Sequence, residues 1–116
     1  MKSRFFSSFA VGLTVLFYAL SLTSANAQCN YTLEANDTYG DGWNGNTMDV
    51  LVNGAVVLDD VTFTSGFQAT FSFAVNTGDQ ITTIWTGGGG FGGETSYRIL
   101  DVTGAQVGSG AQTSIS

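Results

Sequence analysis

The sequence predicts an all-β protein: a small antiparallel β-sandwich, of jelly-roll or immunoglobulin-like type, with about seven or eight short strands. First, apolar and polar residues alternate in short runs, which is the period of a half-buried strand. Second, clusters of Asn, Asp, Gly and Ser separate these runs at a spacing of roughly 8–12 residues. Third, no segment after residue 27 has the periodicity of a helix.

The first 27 residues have the organisation of a cleaved secretory signal peptide. Lys2 and Arg4 precede an apolar run at 9–20, and Ala25-Asn26-Ala27 provides an A-x-A cleavage site. The alternative is a transmembrane anchor, but the apolar run is shorter than the roughly 20 residues that span a bilayer. We therefore expect a signal peptide at 1–27 and a single secreted domain at 28–116, located outside the cell or at its surface.

The charge of the predicted mature chain limits its partners. Its 89 residues contain nine acids and a single base, Arg98, which gives a net charge of −8. Phosphate recognition depends on Lys and Arg, so we expect no nucleic acid partner and no membrane insertion after signal cleavage. The chain has no histidine, the commonest general base. A sandwich of this size also leaves little room for a cleft between two catalytic carboxyl groups, so we expect no enzyme.

Cys29 is the only cysteine, so the domain cannot form an internal disulfide. Stability must then come from the core, a metal ion or assembly. Two fates of the thiol stay open, a free buried thiol and an intermolecular bridge. A lipoprotein signal is disfavoured because Gln28, rather than a small residue, precedes Cys29. Asn30 and Asn36 each begin an Asn-x-Thr sequence, so glycosylation in a eukaryotic host also stays open.

Alternation and turn residues define each predicted strand. The predicted ranges, in order, are 29–36, 47–52, 55–58 (which resumes at 61–64), 67–75, 80–86 and 94–100, with two short closing strands at 105–107 and 112–115. Asn53-Gly54 is the strongest short hairpin signal, because a type I′ turn needs positive φ at both positions. Asp59-Asp60 predicts a turn or bulge. The clearest strand is 67–75, whose shared face is predicted to form the centre of the core and consists of Phe67, Ala69, Phe71, Phe73 and Val75.

The segment Asp37–Asn46 gathers carboxylates, side-chain amides and glycines within ten residues. Oxygen ligands at short spacing, on a backbone that glycine allows to bend, suit a hard divalent cation. We therefore predict a calcium site, with ligands drawn from Asp37, Asp41, Asn44, Asn46, Asp49 and Glu94. The segment is not an EF-hand, since Tyr39 and Met48 occupy its third and twelfth positions. The alternative is an ordinary Asn/Asp/Gly turn cluster.

Four aromatic residues are candidates for ligand binding, because flat rings stack on ligands such as sugars. They are Tyr39, Trp43, Trp85 and Phe91. Trp43 either packs on the acidic loop or offers its face to a ligand. Phe91 lies in the tract Gly87–Gly93, which lacks the lysine and helix of a phosphate-binding loop. That tract is predicted to be a flexible loop or a ligand-binding loop.

Three motifs resemble a repeat-type β-domain of secreted and cell-surface proteins from bacteria and some algae, where it is often fused to proteases or adhesins. They are Tyr31-Thr32-Leu33, the run from Asp37 to Gly45, and Glu94 to Asp101 with Gly104. The resemblance covers essentially the whole predicted mature chain and implies an extracellular accessory module without catalysis. Such domains often pair a cysteine near the position of Cys29 with one after the Phe-rich strand. This chain has no such partner at 74–78.

Together these features predict a secreted, non-catalytic, calcium-stabilised binding or adhesion module. Its expected partner is an extracellular glycan or a surface protein. The alternative is a structural subunit that associates with itself into an extracellular filament or surface layer. Strand edges without proline or lysine favour pairing between copies, and the predicted mature chain contains neither residue.

Overall fold

The computed structural model describes residues 28–116, so the predicted signal peptide lies outside the described part. The described chain forms seven strands, at Gln28–Asp37 (β1), Thr47–Val52 (β2), Ala55–Val61 (β3), Gln68–Asn76 (β4), Ile81–Gly87 (β5), Thr95–Leu100 (β6) and Gln106–Gly110 (β7). A short 3₁₀ turn, Gly92–Glu94, precedes β6. Within this range, none of the helical structure has the length and apolar character needed to cross a membrane.

The strands form two antiparallel sheets, which confirms the predicted all-β sandwich. One sheet has four strands in the order β4-β1-β6-β7, and the other has three in the order β3-β2-β5. β1 pairs along its whole length with β4, from Gln28 opposite Asn76 to Asn36 opposite Gln68. Its other edge pairs with β6, so segments distant in the chain become neighbours at the centre of the larger sheet.

The core lies between the two sheets and consists of the inward residues of both. Alternation places one face of each strand inward, as the sequence predicts for β1, β2, β4 and β6. The buried apolar residues are Leu33, Ala35, Trp43, Met48, Val50, Val52, Val61, Phe73, Val75, Tyr97 and Ile99. Cys29 is a partly buried free thiol near the start of β1.

The hairpin and bulge predictions are confirmed, with one difference in length. Asn53 and Gly54 have φ of 52° and 80°, as the predicted type I′ turn requires. β3 runs on through Asp59-Asp60, where the register with β2 shifts and Asp60 has a φ of 50°. The predicted resumption after Asp59-Asp60 is present only at Val61, where β3 ends, and residues 62–64 lie outside the strand.

Two other predictions at strand ends are wrong. Phe67 precedes β4 and is 65% exposed, because the sandwich does not extend far enough to cover the first position of the predicted inward face. Residues 112–115 form no strand. They lie along β5 instead, where Thr83 N donates to Ile115 O (2.9 Å) and Ile115 N donates to Thr83 Oγ1 (2.7 Å).

A tyrosine hydroxyl joins the two sheets and this terminal segment. Tyr97, on β6, lies with its hydroxyl 2.7 Å from Thr83 Oγ1 on β5, and it donates to Thr113 O at 2.6 Å. Both side chains are buried, with 2% of each residue exposed. Burial is the main cause that raises the pKa of Tyr97, and the Thr83 hydrogen bond partly opposes it. The hydroxyl therefore remains protonated and able to donate.

Candidate metal centre

The acidic loop 37–46 is shaped first by Asp37, at the end of β1. Its Oδ2 accepts hydrogen bonds from Gly40 N and Asp41 N, both at 2.8 Å, and its Oδ1 accepts one from Tyr39 N at 3.5 Å. Only 3% of Asp37 is exposed. Burial acts to raise the pKa of Asp37, but these N–H groups outweigh it and hold the pKa below its ordinary value. Asp37 is therefore an anion that folds the loop around itself.

Backbone bonds tie this loop to the segment that precedes β4. Trp43 N donates to Phe63 O (2.9 Å), Gly42 N to Gly66 O (3.1 Å) and Gly66 N to Gly40 O (3.0 Å). Asp37 N donates to Phe67 O at 2.8 Å. These backbone hydrogen bonds hold the acidic loop, and with it the carboxylates, against the segment 63–67.

Asn46 clamps the acidic loop to the glycine tract. Its Nδ2 donates to Trp43 O (2.8 Å) and Gly90 O (2.7 Å), and its Oδ1 accepts from Gly89 N (3.1 Å). The residue is 3% exposed. Because these protein groups occupy both ends of its amide, Asn46 connects the two loops and is not a candidate ligand.

The fold brings three of the predicted ligands together at the loop end of the sandwich. Asp37, Asp41 and Glu94 each offer a carboxylate oxygen within 4.8 Å of the others, and we refer to them as the acidic triad. The 3₁₀ turn positions Glu94, whose N donates to Phe91 O at 3.1 Å and whose O accepts from Thr38 N at 3.0 Å. The triad thus joins the end of β1 to the start of β6, and it is a group of acids that could hold a metal ion.

The electrostatics of Glu94 favour a positive neighbour. Its Oε2 atom is buried and has no hydrogen-bond partner within the described residues. Burial is the largest cause that raises the pKa of Glu94, followed by the charges of Asp41 and Asp37. A buried carboxylate oxygen without a donor, beside two other acids, is costly unless a cation compensates it. This is the strongest local indication of a cation.

Asn44 lies beside the triad, whereas Asp49 belongs to a different group. Asn44 Nδ2 donates to Asp41 Oδ1 (3.2 Å) and to Gly42 O (3.4 Å). Asp49, in the middle of β2, forms a second acidic group with Asp59 and Asp60 on β3, and its Oδ1 accepts from Asp60 N at 2.7 Å. The predicted ligands therefore divide between the acidic triad with Asn44 beside it and the bulge on the other sheet.

The two tryptophans pack beneath the loop end, where Trp43 is buried and Trp85 is partly buried. Trp43 is fully buried, and its Nε1 donates to Asn36 O at 2.9 Å. Its ring lies edge-on to that of Trp85, with centroids 5.1 Å apart, and tilted against that of Phe63 at 5.7 Å. Of the two alternatives for Trp43, the structure shows packing beneath the loop.

The exposed aromatic rings at this end are Tyr39, Phe67 and Phe91. Tyr39 and Phe91 are each 71% exposed, and both were predicted to contact a ligand. Phe67 is 65% exposed and was predicted to be in the core instead. Its sequence carried one usable signal, the turn dipeptide Ser65-Gly66 directly before it, which marks Phe67 as the outermost residue of its strand.

The loop end therefore combines a cluster of carboxylates, a backbone held by cross-segment hydrogen bonds, and exposed aromatic residues whose backbone groups bond to that cluster. Such an arrangement is suited to holding a cation and to contacting a ligand at the surface. Comparison with known proteins identified no matching family model, no similar curated protein and no similar solved structure.

Proposed function

We propose that this protein is a secreted, non-catalytic binding or adhesion module, stabilised by a calcium ion held in the acidic triad. The observation that carries the proposal is the buried Oε2 of Glu94, which has no hydrogen-bond partner within residues 28–116 and lies beside the carboxylates of Asp37 and Asp41. The predicted signal peptide supports an extracellular location. The absence of histidine from the sequence and the acidic balance support a role in binding rather than in catalysis.

Calcium fits the donor set better than other metals. Every candidate ligand is a hard oxygen, whereas zinc and copper favour the imidazole and thiolate groups that this loop end lacks. Calcium accepts six to eight oxygen ligands in irregular geometry, and magnesium demands near-ideal octahedral geometry. Hydrogen bonds within the protein constrain the backbone of this loop. It therefore suits calcium, which tolerates irregular geometry, better than magnesium. Extracellular calcium sites also function with dissociation constants of about 10⁻⁴–10⁻³ M.

The test is thermal or urea unfolding of the mature protein with calcium and with the chelator EGTA. At a free calcium concentration of about one hundred times the dissociation constant, an ion that binds only the folded state adds about 2.7 kcal/mol of stability. We expect a higher melting temperature with calcium, and we expect Asp41→Asn to remove that rise. Asp59→Asn, in the second acidic group, is the matched control and should keep it.

Glu94→Gln gives a second, independent result. The raised pKa of Glu94 means that its charge is unfavourable in the folded state without a cation. The Gln variant should therefore melt higher than the natural protein in EGTA and gain nothing from calcium. Equal melting temperatures of the natural protein in calcium and in EGTA would refute the calcium proposal.

A second candidate function is a self-associating structural subunit, and one surface favours it. β3 is an edge strand of the smaller sheet, and it exposes Val56 (51%) and Val57 (41%). An apolar, unpaired edge is a template for pairing with another copy. Size-exclusion chromatography and negative-stain microscopy would show filaments if this function holds, and Val57→Lys should abolish them. A monomer at all concentrations would rule it out.

A further inference from the structure

Three exposed aromatic residues neighbour the acidic triad, and a backbone group of each is hydrogen-bonded to a triad residue. Tyr39 lies between Asp37 and Asp41 in the chain, and its N donates to Asp37 Oδ1. The carbonyl of Phe67 accepts from Asp37 N at 2.8 Å, and that of Phe91 accepts from Glu94 N at 3.1 Å. We call these residues the aromatic rim. They come from three separate segments, and the fold places all three at the candidate cation site.

The rim is held in place, although its rings contribute little to the core. A Cβ added to Gly40 would lie 2.5–2.9 Å from three ring atoms of Phe67, so that ring lies directly against the glycine backbone. Phe91 has a φ of 53°, which is rare for an aromatic residue and costs free energy. Rings that are 65–71% exposed bury little apolar area in return. Exposed rings in a fixed backbone are typical of a surface that contacts a partner.

We propose that this partner is a neutral glycan, which packs the apolar faces of its sugar rings on the aromatic rim and contributes hydroxyl oxygens to the bound calcium. This inference rests on the proposed calcium function and specifies its ligand.

The coordination of the ion leaves positions for such hydroxyls. Calcium takes six to eight oxygen ligands. The triad supplies three carboxylates, and Oδ2 of Asp37 already accepts two backbone hydrogen bonds. If each carboxylate binds through one oxygen and the Asn44 amide is a further ligand, four positions are filled, and water or an external ligand must supply the rest. Adjacent hydroxyls of a sugar are paired oxygen donors of the kind that a hard cation accepts.

Charge favours a neutral glycan over an anionic ligand. Arg98 is the only base in residues 28–116, and it is committed to Glu34, with Nε–Oε1 at 2.7 Å and Nη2–Oε2 at 3.0 Å. The triad and the net charge of the predicted mature chain both repel anions. A sugar without charge avoids that repulsion, and its C–H groups complement the negatively polarised faces of Tyr and Phe rings. Anionic lipid bridged by calcium is the competing ligand, and the test below separates the two.

The experiment measures retention of the mature protein on a glycan array and on insoluble neutral polysaccharides, in calcium and in EGTA. We expect retention on at least one neutral glycan in calcium, reduced at least tenfold in EGTA. Phe67→Ala and Phe91→Gly should each reduce retention at least tenfold while keeping the melting temperature rise that calcium produces. Val102→Ala is the control, because Val102 is equally exposed (67%) but lies in the turn between β6 and β7.

The outcomes separate this inference from the function on which it rests. A calcium-induced rise in melting temperature without retention on any neutral glycan overturns the glycan inference alone. Retention that is unchanged in EGTA, or by both rim substitutions, also overturns it. Calcium-dependent binding to phosphatidylserine vesicles, with no binding to glycans, assigns the rim to lipid instead. If calcium does not raise the melting temperature of the natural protein, the calcium function itself is refuted.

Discussion

At the scale of single residues, the loop end depends on a glycine that allows two backbones to touch. Gly42 has a φ of 80°, and a Cβ there would lie 2.4 Å from Phe63 O and 2.8 Å from Ser65 N. These are backbone atoms, so they cannot turn aside as the end of a flexible side chain would. Gly42 therefore sets how closely the acidic loop approaches the segment before β4.

We predict that Gly42→Ala lowers the free energy of unfolding by about 2–5 kcal/mol, from the left-handed backbone and the clash together. Gly54→Ala is the control, since Gly54 has the same φ of 80° with no atom within 4 Å. Its cost should be only the backbone strain, about 1–2 kcal/mol. Urea unfolding of both variants checks the difference. Equal losses would show that the close approach at Gly42 is unimportant.

The roles of individual residues at the loop end were only partly predictable from the sequence. Ligand chemistry identified Asp37, Asp41 and Glu94 as acids that could share an ion, and the fold brings them together. The same reasoning could not separate Asn46 from the ligands, because its partners Gly89 and Gly90 lie far along the chain. Local pattern indicates which groups are available, whereas long-range packing decides which of them remain free.

At the scale of elements, β1 and β6 are joined by an ion pair on the outer face of the larger sheet. Glu34 and Arg98 are register partners, and the guanidinium binds both carboxylate oxygens. Glu34 is 8% exposed, and its hydrogen bond from Arg98 is the main cause that lowers its pKa. Because the folded pKa lies below the unfolded value, this pair stabilises the protein above the unfolded pKa. The stabilisation disappears as the pH falls through the folded pKa.

We predict that Glu34→Gln lowers the free energy of unfolding at neutral pH. The difference from the natural protein should shrink as the pH falls below the ordinary Glu pKa of 4.5 and vanish below the lowered folded pKa, where both proteins are uncharged at this position. Urea unfolding of the two proteins across this range provides the measurement. The other acids titrate in both proteins, so their contributions cancel in the difference between the two free energies of unfolding. A difference that is independent of pH would contradict the assigned cause.

Strand positions were more predictable than strand partners. Alternation correctly located β1, β2, β4 and β6, because each has one buried face and a period of two. The pairing of β1 with β4 and β6 was not visible, since alternation identifies a face but not the neighbour of an edge. The exposure of Phe67 was missed for a related reason. The pattern does not show where along a strand the opposing sheet stops.

At the scale of the whole molecule, the hydroxyl of Tyr97 connects both sheets and the terminal segment. We predict that Tyr97→Phe lowers the free energy of unfolding by about 1–3 kcal/mol, because it removes a buried hydrogen bond to Thr83 and a partly buried one to Thr113. The double variant Tyr97→Phe/Thr83→Val should lose less free energy of unfolding than the sum of the losses in the two single variants. Additive losses in this double-mutant cycle would show that the two hydroxyls do not interact.

The acidic triad takes its members from opposite ends of the described chain, at the close of β1 and just before β6. The three carboxylates come together only when β1 and β6, the two central strands of the larger sheet, have paired. Under the proposed calcium function, the ion therefore binds only a chain in which β1 and β6 have already paired. Removal of that proposed ion would leave three neighbouring carboxylates uncompensated at the junction of these two strands, and their repulsion would weaken it.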